Sequence, residues 1–212
     1  MSRPDPGVGR GRPGVAAFDF DGTLTRRDTL LPFLRRACGV RPIVRAALAA
    51  RGAHGRDAFK VALLGGLFRG WPAERLESVG RAYMPTLLAA LRPGSRDRLD
   101  WHRRRGHHVV IVSASLGAYL RPLAERLELD GALAVELVAD AGGRLTGQVV
   151  GGINNRGPEK VARLRAWLDA RLGPGTEVDL WAYGDSSGDA ELLAIADHPT
   201  WVGRPAHRTG RT

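Results

Sequence analysis

The chain has 212 residues, of which 43% are apolar and 25% are charged, and this composition excludes a wholly disordered protein. The 32 basic residues outnumber the 22 acidic ones, the net charge is +10, and the single cysteine, Cys38, excludes an intrachain disulfide or a cysteine-based zinc site. No apolar run resembles a secretory signal or approaches the ~20 residues of a membrane span, so we expect a soluble, cytoplasmic protein.

Apolar runs and breakers predict the elements in chain order. Residues 15–20 form a short apolar run that predicts a buried strand. Residues 26–90 have no strand pattern, but glycine and proline divide them into four or five helical runs. A helix over 95–105, a buried strand over 107–112 and a helix over 117–127 follow.

The last third of the chain continues this alternation. A hairpin with strands at 133–138 and 145–150 is followed by a helix over 159–172, a buried strand over 178–183 and a last strand over 200–202. Such alternation predicts an α/β fold with a mostly parallel, Rossmann-like sheet.

The order of the predicted strands and helices also predicts the domains. The helical stretch interrupts the alternation directly after the first strand, so we interpret it as an insertion. We divide the chain into a disordered basic tail at 1–13, a core domain at 14–25 and 91–212, and an all-helical cap domain at 26–90.

Three short segments hold most of the positive charge. Residues 1–14, 92–107 and 200–212 have a combined net charge of +9. Net charge alone favours nucleic acid or an anionic membrane as partner. The excess positive charge lies at the two ends of the chain and in a segment whose pattern is typical of the solvated end of a helix. We therefore expect no nucleic-acid partner. A peripheral membrane contact through 92–107 stays open.

Polar side chains follow three of the predicted strands. They are Asp19, Asp21 and Thr23 after the first, Ser113 and Ser115 after the second, and Asp185, Ser186 and Asp189 after the third. Functional groups collect at the carboxyl ends of parallel strands, so we expect these residues to meet. Four carboxylates repel one another unless a cation lies among them, and purely oxygen ligands favour Mg²⁺.

Four segments resemble, in order, the motifs of the haloacid dehalogenase superfamily. They are Asp19-Phe20-Asp21-Gly22-Thr23-Leu24-Thr25, Val110-Ile111-Val112-Ser113, Lys160, and Gly184-Asp185-Ser186-Ser187-Gly188-Asp189. The helical insertion after the first motif resembles the C1 cap of subfamily IB, the phosphoserine-phosphatase-like branch. The resemblance implies a Rossmann-like core with a helical cap, and a hydrolase that uses Mg²⁺.

The resemblance also implies a mechanism. Asp19 would attack phosphorus and form an aspartyl-phosphate, while Asp21 would protonate the leaving alcohol and then activate water. Mg²⁺ would be held by Asp19, by the backbone carbonyl of Asp21 and by Asp185. An acid at position 21 favours phosphatases and phosphomutases over the dehalogenases and transport ATPases of the superfamily.

Further motif residues would support the phosphate. Ser113 and the Ala114 backbone N–H would bind phosphate oxygens at the start of a helix, and Lys160 would add a positive charge. Thr23 would hold the first motif's turn and orient its second aspartate, and Asp189 would orient Lys160 and the metal shell.

Two cap residues bear on the substrate. Asp28 and Lys60 stand where the resembling phosphoserine phosphatases place a Glu and an Arg that bind the substrate. Lys60 and Lys160 are the only lysines in a chain with 30 arginines. This indicates that an ammonium group has a specific role at each of the two positions. The overall pattern is similar to uncharacterised subfamily IB hydrolases that resemble phosphatidylglycerophosphatase C.

We therefore predict a Mg²⁺-dependent phosphomonoesterase that acts on a small phosphorylated metabolite. The open alternatives are a phosphoserine phosphatase, a lipid-phosphate phosphatase, a phosphotransferase or mutase, and a basic binding protein on an inactive scaffold. The sequence leaves monomer and homodimer open.

Overall fold

A computed structural model describes residues 11–203 and places seven strands and nine α-helices in this part of the chain. The strands are β1 (Gly14–Phe18), β2 (His108–Leu116), β3 (Gly131–Val135), β4 (Leu137–Ala139), β5 (Leu145–Val149), β6 (Asp179–Gly184) and β7 (His198–Trp201). The helices are α1 (Leu30–Cys38), α2 (Val40–Ala49), α3 (Arg56–Phe68), α4 (Ala73–Ala82), α5 (Met84–Ala90), α6 (Pro93–Arg104), α7 (Gly117–Arg126), α8 (Pro158–Leu172) and α9 (Ala190–Ala194).

Five of the strands form a parallel sheet in the order β3-β2-β1-β6-β7. β1 lies in the middle, where Phe18 pairs with Ile111 of β2 and with Tyr183 of β6. The carboxyl ends of these three strands are therefore neighbours, and the residues that follow them meet at one edge of the sheet. The predicted α/β fold with a mostly parallel sheet is confirmed.

Alternate residues of β1 enter hydrophobic clusters on opposite faces of the sheet. Val15 and Ala17 pack on one face with Leu164 of α8, whereas Ala16 and Phe18 pack on the other. All four β1 side chains are at most 2% exposed. The uninterrupted apolar run therefore reflects a parallel strand that is covered on both faces.

Helices α1 to α5 occupy the stretch that the sequence predicts as a helical insertion. Thr25 and Leu91 form an antiparallel bridge, which brings the two ends of this stretch together. Phe33 and Leu64 of the insertion belong to the same hydrophobic cluster as Phe18 of the sheet. The insertion and the sheet therefore share one continuous core, while the predicted domain boundaries stay a prediction.

The structure divides the predicted hairpin differently. The run expected as one strand over 133–138 contributes to two strands: β3 joins the central sheet beside β2, and β4 pairs with β5. The chain changes partner at Glu136, whose carbonyl oxygen accepts a 2.8 Å hydrogen bond from the Val150 N–H. Apolar alternation shows that a segment is half-buried, but it does not identify the strand beside it.

Two residues at the end of the predicted tail contact the core. Residues 1–10 of the predicted disordered tail lie outside the described residues. Arg12, in contrast, forms a 3.2 Å ion pair with Asp197, and the Pro13 carbonyl accepts a 2.9 Å hydrogen bond from the Asp179 N–H. The part of the predicted tail at 12–13 thus lies against the start of β6.

Candidate active site

A tight loop after β1 positions the first aspartates of the site. The loop turns at Phe20, whose carbonyl oxygen accepts a 3.0 Å hydrogen bond from the Thr25 N–H. Gly22 has a positive φ of 88°, and a Cβ at this position would overlap the carboxylate of Asp185. Only glycine fits this turn without strain, and its small size lets the loops after β1 and β6 approach each other.

Lys160 joins two of the predicted site residues. It lies in the first turn of α8, is 2% exposed, and donates 2.6 Å hydrogen bonds to Asp19 Oδ1 and Asp189 Oδ1. Burial lowers the pKa of Lys160, but the two carboxylates outweigh this effect, so its pKa is raised. The ammonium therefore stays charged, and the predicted contact between Asp189 and Lys160 is present.

Asp19, Asp185 and Asp189 form an acidic cluster whose ligand oxygens lie within 4.8 Å of one another. Burial raises the pKa of Asp19 to about 7 against the opposing effect of Lys160, and the Asp189 carboxylate raises it further. Burial and the Asp189 charge also raise the pKa of Asp185. The cluster carries more negative charge than Lys160 neutralises, and its all-oxygen donors fit a hard divalent cation.

Asp21 has hydrogen-bond partners of its own. Its Oδ1 accepts 2.7 Å hydrogen bonds from the Thr29 N–H and hydroxyl, and its Oδ2 accepts one from the Ser115 hydroxyl. Burial raises the pKa of Asp21, although these hydrogen bonds oppose the shift. Both carboxylate oxygens thus have hydrogen-bond partners outside the acidic cluster, which is compatible with the predicted metal contact through the backbone carbonyl.

Thr29 and Ser115 were not predicted to hold Asp21. The signal for Ser115 is its place two residues after Ser113 in an extended segment, because alternate residues of a strand face the same side. Thr29 offered no comparable signal, since it comes from the other end of the loop that leads into α1.

The structure corrects the predicted role of Thr23. Its hydroxyl donates to Asp185 Oδ1 at 3.3 Å, so the side chain orients Asp185 and not Asp21. The sequence places Thr23 on a turn, but the close approach of the β6 loop decides its partner.

The predicted phosphate-binding segment lies within β2. β2 continues beyond Ser113 and Ala114 as far as Leu116, which pairs with Val135 of β3. Helix α7 begins only at Gly117. The expected position at a helix start is therefore wrong. Ser113 is 1% exposed, and its Oγ accepts a 3.1 Å hydrogen bond from the Ser115 N–H.

The comparisons with known proteins agree with this geometry. Residues 16–194 match the family model described as haloacid dehalogenase-like hydrolase. The chain belongs to this family. The predicted family and the predicted hydrolase class are therefore confirmed.

Two relatives and one solved structure illustrate the similarity of this hydrolase to known proteins. Protein CicA of Caulobacter vibrioides is 34% identical over 97% of this chain and 94% of its own length. The phosphoserine phosphatase of Methanocaldococcus jannaschii is 29% identical, over 84% of this chain and 80% of its own. The crystal structure of a protein with unknown function from Bordetella pertussis Tohama I has a TM-score of 0.70 at 23% identity, with 87% of each chain covered.

The site of the hydrolase opens into a cavity of about 530 Å³, which the helical insertion partly walls. Lys60 of α3 reaches across it and donates a 2.7 Å hydrogen bond to the Ala114 carbonyl oxygen. Burial lowers the pKa of Lys60, although nearby carboxylates, Asp21 foremost, oppose the shift. Asp28 also lines the cavity, where its Oδ2 accepts a 3.0 Å hydrogen bond from the Leu31 N–H at the start of α1.

The cavity wall also contains four arginines that are not among the predicted site residues. They are Arg26, Arg27, Arg56 and Arg156. They come from three separate segments of a chain that contains 30 arginines, so no motif or spacing marks them.

Proposed function

We propose that the chain is a Mg²⁺-dependent phosphomonoesterase that acts through an aspartyl-phosphate on a small phosphorylated metabolite in the cytoplasm. The observation that carries the proposal is the position of Asp19 at the end of β1, with the buried Lys160 ammonium 2.6 Å from its carboxylate. Asp21 lies two residues further on and is held separately by Ser115 and Thr29. The phosphoserine phosphatase among the relatives supports a phosphate ester as the substrate class.

Asp19 is the proposed nucleophile. One of its oxygens forms a bond to phosphorus while the bond between phosphorus and the alcohol oxygen breaks, and Asp21 gives that oxygen a proton. Water then attacks phosphorus, Asp21 takes up the proton of this water, and the bond to Asp19 breaks. Inorganic phosphate leaves, and both carboxyl groups return to their starting states.

Lys160, Ser113 and the Ala114 N–H are the proposed phosphate contacts. Lys160 holds a fixed positive charge beside the nucleophile, where the transferring phosphoryl group is negative. Ser113 and Ala114 also line the cavity, from the carboxyl-terminal half of β2, the strand next to β1. They line the same cavity as Asp19, which supports this assignment.

Asp19, the backbone carbonyl of Asp21 and Asp185 are the proposed ligands of Mg²⁺. When bound, the ion offsets the repulsion between an anionic nucleophile and an anionic ester. Thr23 orients Asp185 for this role. Asp189 is already engaged by Lys160 and by the Ser186 N–H and hydroxyl, so we assign it the positioning of Lys160.

Asp28 and Lys60 are the proposed substrate contacts of the insertion. Both line the cavity, and Lys60 reaches the Ala114 carbonyl. Asp for Glu and Lys for Arg preserve the charges of a phosphoserine site but change reach and hydrogen-bond geometry. Phosphoserine is therefore one substrate to test and is not the assumed one.

Hydrolysis of p-nitrophenyl phosphate tests the proposal. We expect turnover by the wild-type chain with Mg²⁺, none with EDTA, and a loss of at least ~10³-fold in Asp19→Asn, because the nucleophile is gone. Wild-type turnover no higher than that of Asp19→Asn would contradict the proposal. Salt-sensitive DNA binding by such an inactive chain would favour the basic binding protein.

A substrate panel then distinguishes the activities that share this site. Phosphoserine, histidinol phosphate, sugar phosphates and lysophospholipids are compared by kcat/KM. Release of inorganic phosphate supports the hydrolase, whereas transfer of the phosphoryl group to a sugar favours the phosphotransferase.

A further inference from the structure

Helix α2 presents an apolar stripe to the outside of the molecule. Val40, Val44 and Leu48 follow at four-residue spacing and are 61%, 50% and 49% exposed. Leu31 of α1, the helix packed beside α2, is 42% exposed. Residues four apart lie on one side of a helix, so Val40, Val44 and Leu48 form one apolar stripe and are not scattered.

The stripe is separate from the face of α2 that packs in the core. Ala46 is buried, Ile43 packs against the same hydrophobic cluster, and the helix contacts α1 and α3. The inner face thus suffices to attach α2 to its neighbours. A second, exposed apolar face is the kind of patch that marks an interaction surface.

Arginines flank the stripe without acidic neighbours in the sequence. Residues 29–56 contain six arginines and no Asp or Glu. The six are Arg35, Arg36, Arg41, Arg45, Arg51 and Arg56, and all are exposed. Among the described residues none of them forms an ion pair. Arg56 lines the cavity, so the other five arginines give this surface a charge of +5 beside its aliphatic side chains, and no acid in the segment offsets it.

We propose that this surface, called the α2 face and formed by Leu31, Val40, Val44, Leu48 and the arginines of residues 35–51, docks on an anionic lipid bilayer. The aliphatic side chains would enter the interfacial layer while the guanidinium groups contact lipid phosphates. The bilayer would then contact both the apolar stripe and the flanking arginines.

Other binding partners would match either the apolar stripe or the arginines of the α2 face, but not both. In a symmetric contact with a second copy, each set of unpaired arginines would face the identical set, so like charges would oppose one another. Nucleic acid would pair with the arginines but would leave the aliphatic stripe in water. A bilayer with anionic headgroups matches the charge and the apolar side chains together.

The α2 face lies close in sequence to the cavity. Leu30, directly before Leu31, and Arg56, at the start of α3, both line the cavity. Docking would thus hold the cavity near the bilayer surface. No helix among the described residues has the length and hydropathy needed to cross a bilayer.

Vesicle co-sedimentation tests the proposal without any use of catalysis, so its failure is distinct from failure of the proposed function. We expect binding to phosphatidylcholine vesicles that contain phosphatidylglycerol, weaker binding at high salt, and little binding to phosphatidylcholine alone. The double variants Val44→Ser/Leu48→Ser and Arg41→Gln/Arg45→Gln should each weaken binding at least ~10-fold.

A matched control removes the same charge from the other arginine-rich segment. Arg104→Gln/Arg105→Gln at the end of α6 should bind anionic vesicles as the wild type does. Absence of binding, equal binding to neutral vesicles, or an equal loss in the α6 control would overturn the proposal. Circular dichroism and p-nitrophenyl phosphate turnover check the fold of every variant, because none of the substituted residues lines the cavity.

Light scattering after size-exclusion chromatography tests the remaining alternative, in which a second copy of the chain covers the α2 face. A dimer that dissociates in Val44→Ser/Leu48→Ser, in a chain that does not bind anionic vesicles, would overturn the proposal in favour of self-association. A monomer that binds vesicles through the α2 face supports it.

Discussion

At the scale of single residues, Lys160 determines how much negative charge the site can hold. Lys160→Met would leave the buried Asp19 and Asp189 carboxylates without their cation. Breaking a buried pair in this way costs about 3–5 kcal/mol of unfolding free energy. Loss of a fixed charge beside the proposed nucleophile, Asp19, should also lower kcat by about 10²–10³-fold. Urea unfolding and p-nitrophenyl phosphate kinetics measure the two effects.

The other lysine of the chain provides the control. Lys60→Met removes a hydrogen bond from an ammonium to a neutral carbonyl oxygen, which contributes about 1.5–3 kcal/mol. We expect a smaller loss of both stability and kcat than in Lys160→Met. Equal losses in the two variants would show that burial of a lysine, and not its pairing with Asp19 and Asp189, accounts for the effect.

Residue identities and strand ends were sufficient to predict which groups converge. Asp19, Asp185 and Asp189 meet because they follow strands that are neighbours in the sheet. The individual partners could not be predicted in the same way. Thr23 bonds Asp185, and Thr29 bonds Asp21, because of loop approaches that depend on tertiary packing.

At the scale of elements, helix α3 packs closely on the β4–β5 hairpin at Gly65. A Cβ at Gly65 would collide with the Gly147 carbonyl oxygen, which belongs to backbone and cannot rotate away. Gly65→Ala should therefore lower the unfolding free energy by about 1–3 kcal/mol, as overpacking does. The measurement is urea unfolding at a pH where the wild type is stable.

Gly66 is the matched control in the same helix. A Cβ there would meet the Ala46 methyl at 3.5 Å, which is ordinary contact. Gly66→Ala should stabilise the chain by about 0.5–1 kcal/mol, because alanine loses less backbone entropy in a helix. Destabilisation of both variants to the same extent would contradict the close approach at Gly65.

Element types were more predictable than element partners. The buried runs of β1, β2 and β6 indicate strands because they are short, apolar and bounded by breakers. The run at 133–138 is also short and apolar, but it contributes to two sheets, because β3 pairs with β2 and β4 pairs with β5. Periodicity describes the burial of a segment, whereas pairing depends on residues far away in the sequence.

At the scale of the whole molecule, His102 links folding to pH. It is fully buried, its Nε2 lies 2.9 Å from the Tyr183 hydroxyl, and its Nδ1 lies 2.9 Å from His107 Nδ1. Burial, followed by the positive charges of His107, Arg98 and Arg105, lowers the pKa of His102 to about 3. The folded protein therefore keeps this ring neutral at pH values where the unfolded chain protonates it.

The sign of the pH effect follows from this difference. Between about pH 3 and about pH 6.5 the unfolded chain binds more protons at His102, so stability falls as the pH falls. A change from about pH 7.5 to about pH 5 should cost about 2 kcal/mol at this residue. His102→Asn should lose that part of the pH dependence, and His54→Asn, at an exposed position, should keep it. Identical pH dependence in the two variants would contradict the assignment.

The net charge of +10 was a weaker guide than its distribution. In the sequence the excess lies at 1–14, 92–107 and 200–212, but the structure adds the α2 face, where arginines lie beside exposed aliphatic residues. A charge count cannot detect such a surface, because it depends on which side of α2 packs in the core.

The central claim is that Asp19 carries the phosphoryl group, and covalent trapping tests it most directly. The Asp21→Asn chain is mixed with Mg²⁺ and p-nitrophenyl phosphate, quenched in acid, and analysed by peptide mass spectrometry. The nitrophenolate leaves without a protonating residue, whereas the second step lacks its base, so the intermediate should accumulate. We predict one phosphoryl group on the peptide containing Asp19, and none in Asp19→Asn/Asp21→Asn. Turnover by the wild type without phosphorylation of this peptide would contradict the claim.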